Sequence, residues 1–373
     1  MRIEVSKWIV IVGLVTVNAV ESVSAEVQTC STLKKQEVLE AASAGRPTVE
    51  LNCHLTLQKS DFITKQVRIS GNLVNGLVFD CHGATLRANS FSDPQLRLLV
   101  RSLKGVGSNG LDVWRRPENI LIKNCNIEGS TRVMGVASNG EGKNLTESSR
   151  QPGHTGRTQS YAPRGIIFNK NKFIGQGATP IYFAPGVNYS AVLNSHIGGY
   201  SKSVAVYFDA ESAKNTLDNN VIDTKTIEKR AGGSARELVA IDGSAYNKIA
   251  NNYFSSLNHG GIYLYRNCGE GGNIRHQTSR YNEIVNNTFY YNKYRGELPA
   301  IWVASRNGNR SYCDLDIGYD FGSSSSDLDH AINNKIHLNQ FFKLHPNYMI
   351  RVNAFPNEVE SNEVVTSRII RTY

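Results

Sequence analysis

The side chains able to do chemistry gather in the second half of the chain. Asp209 and Asp242 are joined there by Tyr265-Arg266, by Arg275-His276 and by Arg306. Carboxylates, guanidinium groups, a phenol and an imidazole are the groups that proton transfer on an anionic substrate needs. Arginine binds carboxylates bidentately, so this set suits an acidic sugar. If Asp209 and Asp242 sit on neighbouring strands, about 5 Å apart, their charges repel unless a proton or a cation intervenes. Three uses fit: a site for a divalent cation such as calcium, a catalytic acid pair, or two carboxylates bridged by Arg266. Each aspartate taken alone also reads as an ordinary turn residue capping backbone N–H groups.

An internal repeat supplies the elements that would bring these residues together. Segments 214–222, 246–254, 281–289 and 333–341 share the pattern polar, Asn, x, apolar, x, x, Asn, x, apolar, with weaker copies at 189–197 and 356–364. The second Asn position recurs at 171, 195 (a serine), 220, 252, 287, 339 and 362, and its shortest steps are 23 to 25 residues. That period belongs to a solenoid whose repeats cannot bury a face alone. The leucine signature of a leucine-rich repeat is missing. Apolar alternation on both sides of the Asn reads as strand, tight turn, strand, with Asn suited to a left-handed turn and to bonding its counterpart in the next coil. The expected fold is all-β: a single-stranded right-handed parallel β-helix. Longer steps place insertions at about 225–236, 267–280 and 306–332, and a larger polar loop at 130–164. Residues 33–44 read as a short amphipathic helix capping the first coil.

Aligning the strand before each Asn turn by its inward apolar pairs leaves one outward column of Tyr182, Tyr207, Ala240, Tyr263, Trp302 and Arg351. Its rings are expected to face solvent as a platform for sugar faces; stacking for stability is the plainer alternative. The next outward column carries Ala184, Asp209, Asp242 and Tyr265, with Arg266 beside it. Arg275, His276 and Arg306 come from the loops that follow.

Composition bounds the rest. The chain has 373 residues, is 40% hydrophobic and 20% charged, and carries a net charge of +9. This excludes wholesale disorder, and no apolar run after residue 25 is long enough to span a bilayer, so no membrane insertion is expected. Arg2, Lys7, the apolar stretch 8–20 and Val23-Ser24-Ala25 read as a signal peptide over 1–25. The expectation is therefore a secreted or periplasmic monomer, with one β-helix domain over 26–373: a cap at 26–45 and coils over about 46–365. No nucleic-acid module accompanies the basic charge, so no nucleic acid is expected as partner. Six cysteines in an exported chain favour disulfides, and the expected pairs are Cys268–Cys313 across two insertions, Cys30–Cys53 at the cap and Cys81–Cys125 between early coils.

The Asn repeat, the strand Gly76-Leu-Val-Phe-Asp-Cys-His-Gly-Ala-Thr-Leu86 and the stretch Arg116-Pro-Glu-Asn-Ile-Leu-Ile-Lys-Asn-Cys125 together carry a resemblance. Over nearly all of the mature region the chain resembles the pectate-lyase-like β-helix superfamily. Within it, the chain is similar to secreted bacterial lyases that act on the cell's own acidic biofilm-matrix exopolysaccharide. The resemblance implies a uronate-containing polysaccharide as partner but does not fix the reaction, since the fold also carries glycosidases, epimerases and noncatalytic binders; the leading expectation is a lyase working by β-elimination. In that scheme Arg266, assisted by Arg275, neutralises the sugar carboxylate, His276 is the base and Tyr265 the acid. Asp209 and Asp242 orient Arg266 or bind the cation, while Tyr182, Tyr207, Tyr263, Trp302, Arg275 and Arg306 bind substrate. The superfamily often uses a lysine or arginine base, and no lysine falls in the central columns. Two competing readings are a glycoside hydrolase working through Asp209 and Asp242, and a noncatalytic matrix-polysaccharide binder.

Overall fold

The computed structural model describes residues 26–140, 142–228, 235–291, 298–308 and 326–367. Short strands repeat three to a coil and stack coil on coil, forming three long parallel sheets. The front sheet runs from Thr48–Glu50 through Ser130–Met134, Ile181–Phe183, Val206–Phe208, Val239–Asp242, Ile262–Tyr265 and Ile301–Val303 to Ile350–Val352. A back sheet runs from Leu55–Thr56 to Glu358–Glu360, and a side sheet from Phe62–Ile63 to Glu363–Val365. This is the right-handed parallel β-helix expected, the hand that parallel crossovers take almost without exception. Helix α1, Thr32–Leu39, opens on the Ser31 cap and seals the first coil with Val38. It is shorter than the expected helix.

Alternation decides which way each strand faces. In Ile181-Tyr182-Phe183 and its equivalents the outer two residues point inward, where Phe183 stacks on Phe208 with ring centroids 5.3 Å apart. Phe254, Phe289 and Phe341 form a second interior stack at 4.6 and 5.3 Å. Both asparagines of the repeat are buried and build two ladders. In one, the backbone N–H of Asn215, Asn247, Asn282 and Asn334 each donates to the next coil's Asn side-chain oxygen at 2.9–3.0 Å. In the other, Asn220, Asn252, Asn287 and Asn339 do the same at 3.0 Å. The left-handed turn conformation belongs to the residue before each ladder asparagine, such as Lys214, Asn219, Tyr246 and Asn251.

Two details of the insertions correct the expectation. Ser130–Met134 is a front-sheet strand, so the large insertion starts only after it. That insertion is also not a plain loop, because it holds helices α2, Lys143–Ser149, and α3, His154–Tyr161. Cys30–Cys53 and Cys81–Cys125 are bonded as expected. Cys268 is disulfide-bonded, and its expected partner Cys313 lies outside the described residues, as does most of the 306–332 insertion.

Candidate functional site

The front-sheet columns fall in the register read from the repeat. Tyr182 pairs with Tyr207, Tyr207 with Ala240, Ala240 with Tyr263, Tyr263 with Trp302 and Trp302 with Arg351. Asp242 pairs with Tyr265, and Asp209 occupies the matching place one coil earlier. What differs is exposure. Tyr182, Tyr207 and Tyr263 keep only 8, 9 and 7% of their surface, so they are no open platform. Their faces are taken by one another and by arginines. Tyr182 stacks on Tyr207 at 5.0 Å, and Tyr263 meets Trp302 edge-on at 5.4 Å. Arg132 lies over Tyr182 at 4.8 Å, Arg236 over Tyr207 at 5.8 Å, Arg306 over Tyr265 at 3.8 Å and Arg351 over Trp302 at 4.5 Å.

The two aspartates are buried to 1 and 0% and hydrogen-bonded inside the protein. Asp209 accepts from the Tyr182 hydroxyl at 2.5 Å, the Ala210 N–H at 2.8 Å and Arg275 Nη1 at 3.1 Å. Asp242 accepts from the Tyr207 hydroxyl at 2.7 Å and from the Asn267 backbone and side chain, both at 2.8 Å. Burial pushes the Asp209 carboxyl above its ordinary value; Arg275 opposes this and the Asp242 charge adds to it. Burial works against the charge on Arg275, but Asp242 and Asp209 outweigh it and hold the guanidinium charged. An arginine thus supplies the cation beside this carboxylate pair, and it is Arg275, not Arg266. Among the described residues no cluster of three or more His, Cys, Asp or Glu side chains offers a metal site. Where the expectation set a calcium site or a hydrolase acid pair, both carboxylates are buried and hydrogen-bonded within the protein.

Arg266 is also corrected. Its backbone N–H donates to Asp329 Oδ1 at 3.1 Å, and its Nη2 donates to the carbonyls of Leu328 at 2.6 Å and Ser326 at 3.2 Å. The side chain turns into the 326–329 segment instead of over the aspartates. His276 is drawn into the cover: its Nε2 lies 2.7 Å from the Ser149 carbonyl, and its ring packs on His154 at 5.0 Å. Arg275 is buried beneath the same cover, where Gly140 lies so close that a Cβ there would meet its Nη2 at 2.4 Å. Tyr265 is wholly buried. Its hydroxyl donates to Glu237 Oε1 at 3.2 Å and accepts from Arg236, while burial raises its pKa against the pull of Arg236 and Arg306. It seats guanidinium groups and does not present a proton to solvent. Arg306 further bonds Asn267 Oδ1 and, through its N–H, Asp329 Oδ2 at 2.9 Å.

The residues left exposed or partly exposed along this face are Arg351, which is exposed, and Arg132, Arg236, Arg306 and Trp302, which are partly so. Arg351 stood in the sequence column. Arg132 and Arg236 were missed because both fell within stretches read as loop. A concavity of about 900 Å³ lies elsewhere, where the back sheet turns into the side sheet. The front face is preferred as the main site because its charged groups converge there.

No protein-family model matches the chain, and no curated protein matches it in sequence. Among solved structures it aligns with the periplasmic alginate epimerase AlgG at 9% identity and a TM-score of 0.37, over 89% of this chain and 81% of that one. The Streptococcus pneumoniae surface protein and adhesin PfbA aligns at 11% identity and a TM-score of 0.36, over 85% of this chain and 78% of that one. The A-module of the Azotobacter vinelandii mannuronan C-5 epimerase AlgE6 aligns at 9% identity and a TM-score of 0.28, over 91% and 97%. Likenesses at these scores bear on neither the activity nor the site residues.

Proposed function

We propose that this is an exported protein that binds an acidic, uronate-containing polysaccharide along the front sheet and cleaves it by β-elimination, as biofilm-matrix lyases do. The observation that carries the reading is the row of Arg132, Arg236, Arg306 and Arg351. Each is seated on an outward aromatic ring of the sheet; Arg351 is exposed and the other three are partly exposed. Rings fix the guanidinium planes, and fixed guanidiniums match the carboxylates of a polyuronate. Elimination needs such neutralisation, since the C5 proton of a uronate is weakly acidic until its carboxylate charge is compensated. Tyr265 serves as a positioning residue for Arg236 and Arg306. Asp209 and Asp242 are committed inside the protein, so the C5 proton is assigned to His276, which stays partly exposed at the cover, and water protonates the leaving oxygen. Disulfides support export.

That same burial favours one second reading, a binder that does not cleave. Incubating the mature chain with polyuronates separates the two. Elimination creates an unsaturated, ultraviolet-absorbing end; hydrolysis creates reducing ends without that absorbance; a binder creates neither. Arg236→Ala and Arg306→Ala are each expected to lower kcat/KM about 100-fold, the scale of removing a charge-stabilising donor. Normal turnover in both variants sinks the elimination reading.

A further inference from the structure

The trough at the corner between the back and side sheets runs along the solenoid. Its lining residues Asn126, Lys172, His196, Val221 and Tyr253 follow one another in strand register, one per coil. At about 4.8 Å per coil this is roughly 20 Å of groove, several sugar rings long. It encloses about 900 Å³, and none of its lining residues belongs to the front sheet.

Its chemistry is asymmetric. Lys170 and Lys172 are exposed on one coil, on either side of the buried ladder residue Asn171, and no ion pair engages either among the described residues. Lys170 holds a left-handed turn with φ 56°, where neighbouring coils carry Asn124, Asn194 and Asn219. Asparagine takes that conformation more readily than lysine, so turn stability does not explain the lysine. One coil further, His196 Nε2 lies 2.9 Å from Asp223 Oδ1, so the trough's carboxylate already has a partner. Gly198 makes room for this pair: a Cβ there would stand 2.7 Å from Asp223 Oδ1 and 2.9 Å from His196 Cε1. Val221 and Tyr253 add an apolar floor of the kind sugar C–H faces pack on.

We infer that this trough is a second saccharide site, taking an extended anionic oligosaccharide whose acid groups meet Lys170 and Lys172 while the His196–Asp223 pair hydrogen-bonds its hydroxyls. Two sites on different faces let the chain hold one part of a polymer while the front sheet engages another. The choice of a uronate as the acidic sugar rests on the function proposed above; the charge and shape of the trough do not.

The test is titration calorimetry of the full mature chain with hexamers of galacturonate and of mannuronate, with a sulfated dextran oligosaccharide to separate carboxylate from sulfate recognition and neutral dextran as control. Wild type is expected to bind an acidic probe at two sites, and Lys170→Gln/Lys172→Gln at one, with elimination on a trimer unchanged. Gly198→Ala is expected to weaken the second site at least 10-fold through the displaced His196–Asp223 pair, while its thermal midpoint stays close to that of wild type. A lysine-dependent site in a protein that shows no elimination supports the trough and removes only the proposed activity. Equal stoichiometry and affinity in wild type and the double lysine variant, or neutral dextran binding the trough as tightly as the acidic probes, overturns it.

Discussion

At the scale of single residues, the decisive side chain is Arg275, which compensates a pair of aspartates that cannot be hydrated. Removing one partner of a buried charge cluster leaves the others uncompensated, at a cost of about 3–5 kcal/mol. Arg275→Met is therefore expected to destabilise the fold by that much near neutral pH. The sign of its pH dependence follows from Asp209, whose carboxyl is already pushed up by burial. A carboxyl with a raised native pKa binds its proton more tightly folded than unfolded, so its contribution to stability rises as pH falls toward the ordinary carboxylate range. Without Arg275 that rise steepens, so the gap in urea midpoint between wild type and variant should narrow on mild acidification; a gap that widens instead contradicts the assignment. The sequence made this pair legible, because period-2 alternation fixes which residues share a column. It did not reveal the compensating arginine. Arg266 and Arg275 lie in one insertion with no periodicity, and where such a segment turns is decided by what packs on it.

At the scale of elements, the ladders and the helical cover behave oppositely. Asn252 accepts from the Asn220 N–H at 3.0 Å and donates to the Leu217 carbonyl at 2.8 Å, both in buried surroundings. Asn252→Ala orphans both groups and is expected to cost about 3 kcal/mol in urea unfolding, since each unsatisfied buried group costs about 1–3 kcal/mol. Ladder positions were legible because every coil repeats them. The cover was not: α2 and α3 occur once, and only the tertiary contacts of Ser149, His154 and Thr158 stabilise such short helices. Burial lowers the pKa of His154 to about 4, with His276, Arg157 and Arg275 adding to the effect against Glu211. The folded chain thus resists a proton that the unfolded chain accepts near pH 6.5. The stability tied to neutral His154 is present above pH 6.5 and is lost as pH falls toward 4, by roughly 3 kcal/mol. Protection factors of residues 143–161, taken relative to the intrinsic exchange rate at each pH, should fall across that window, and His154→Phe should remove the fall.

At the scale of the whole molecule, the net charge of +9 matters through its placement. From the Arg132 strand to the Arg351 strand the front sheet advances six strands, roughly 29 Å at about 4.8 Å each. A polymer lying on this face meets guanidinium groups at both ends and near the centre, whereas a short fragment bound at the centre does not meet the ends. The central pair, Arg236 and Arg306, shares Tyr265 as its seat. Arg132 and Arg351 each sit on a ring of their own, Arg132 four strands from the Tyr265 strand and Arg351 two. Neutralising the ends and the centre should therefore change different kinetic constants. Arg132→Gln/Arg351→Gln is expected to raise KM for a long polyuronate several-fold, most strongly at low ionic strength because exposed charges are screened by salt. The same variant should leave kcat, and the KM of a trimer, near their starting values. Arg306→Gln should lower kcat on both substrates, because it withdraws charge where the C5 proton leaves. Steady-state rates on polymer and trimer at two salt concentrations decide the matter. If the end variant lowers kcat on the trimer as strongly as the central one does, the arginine row does not act as an extended track with one reacting centre.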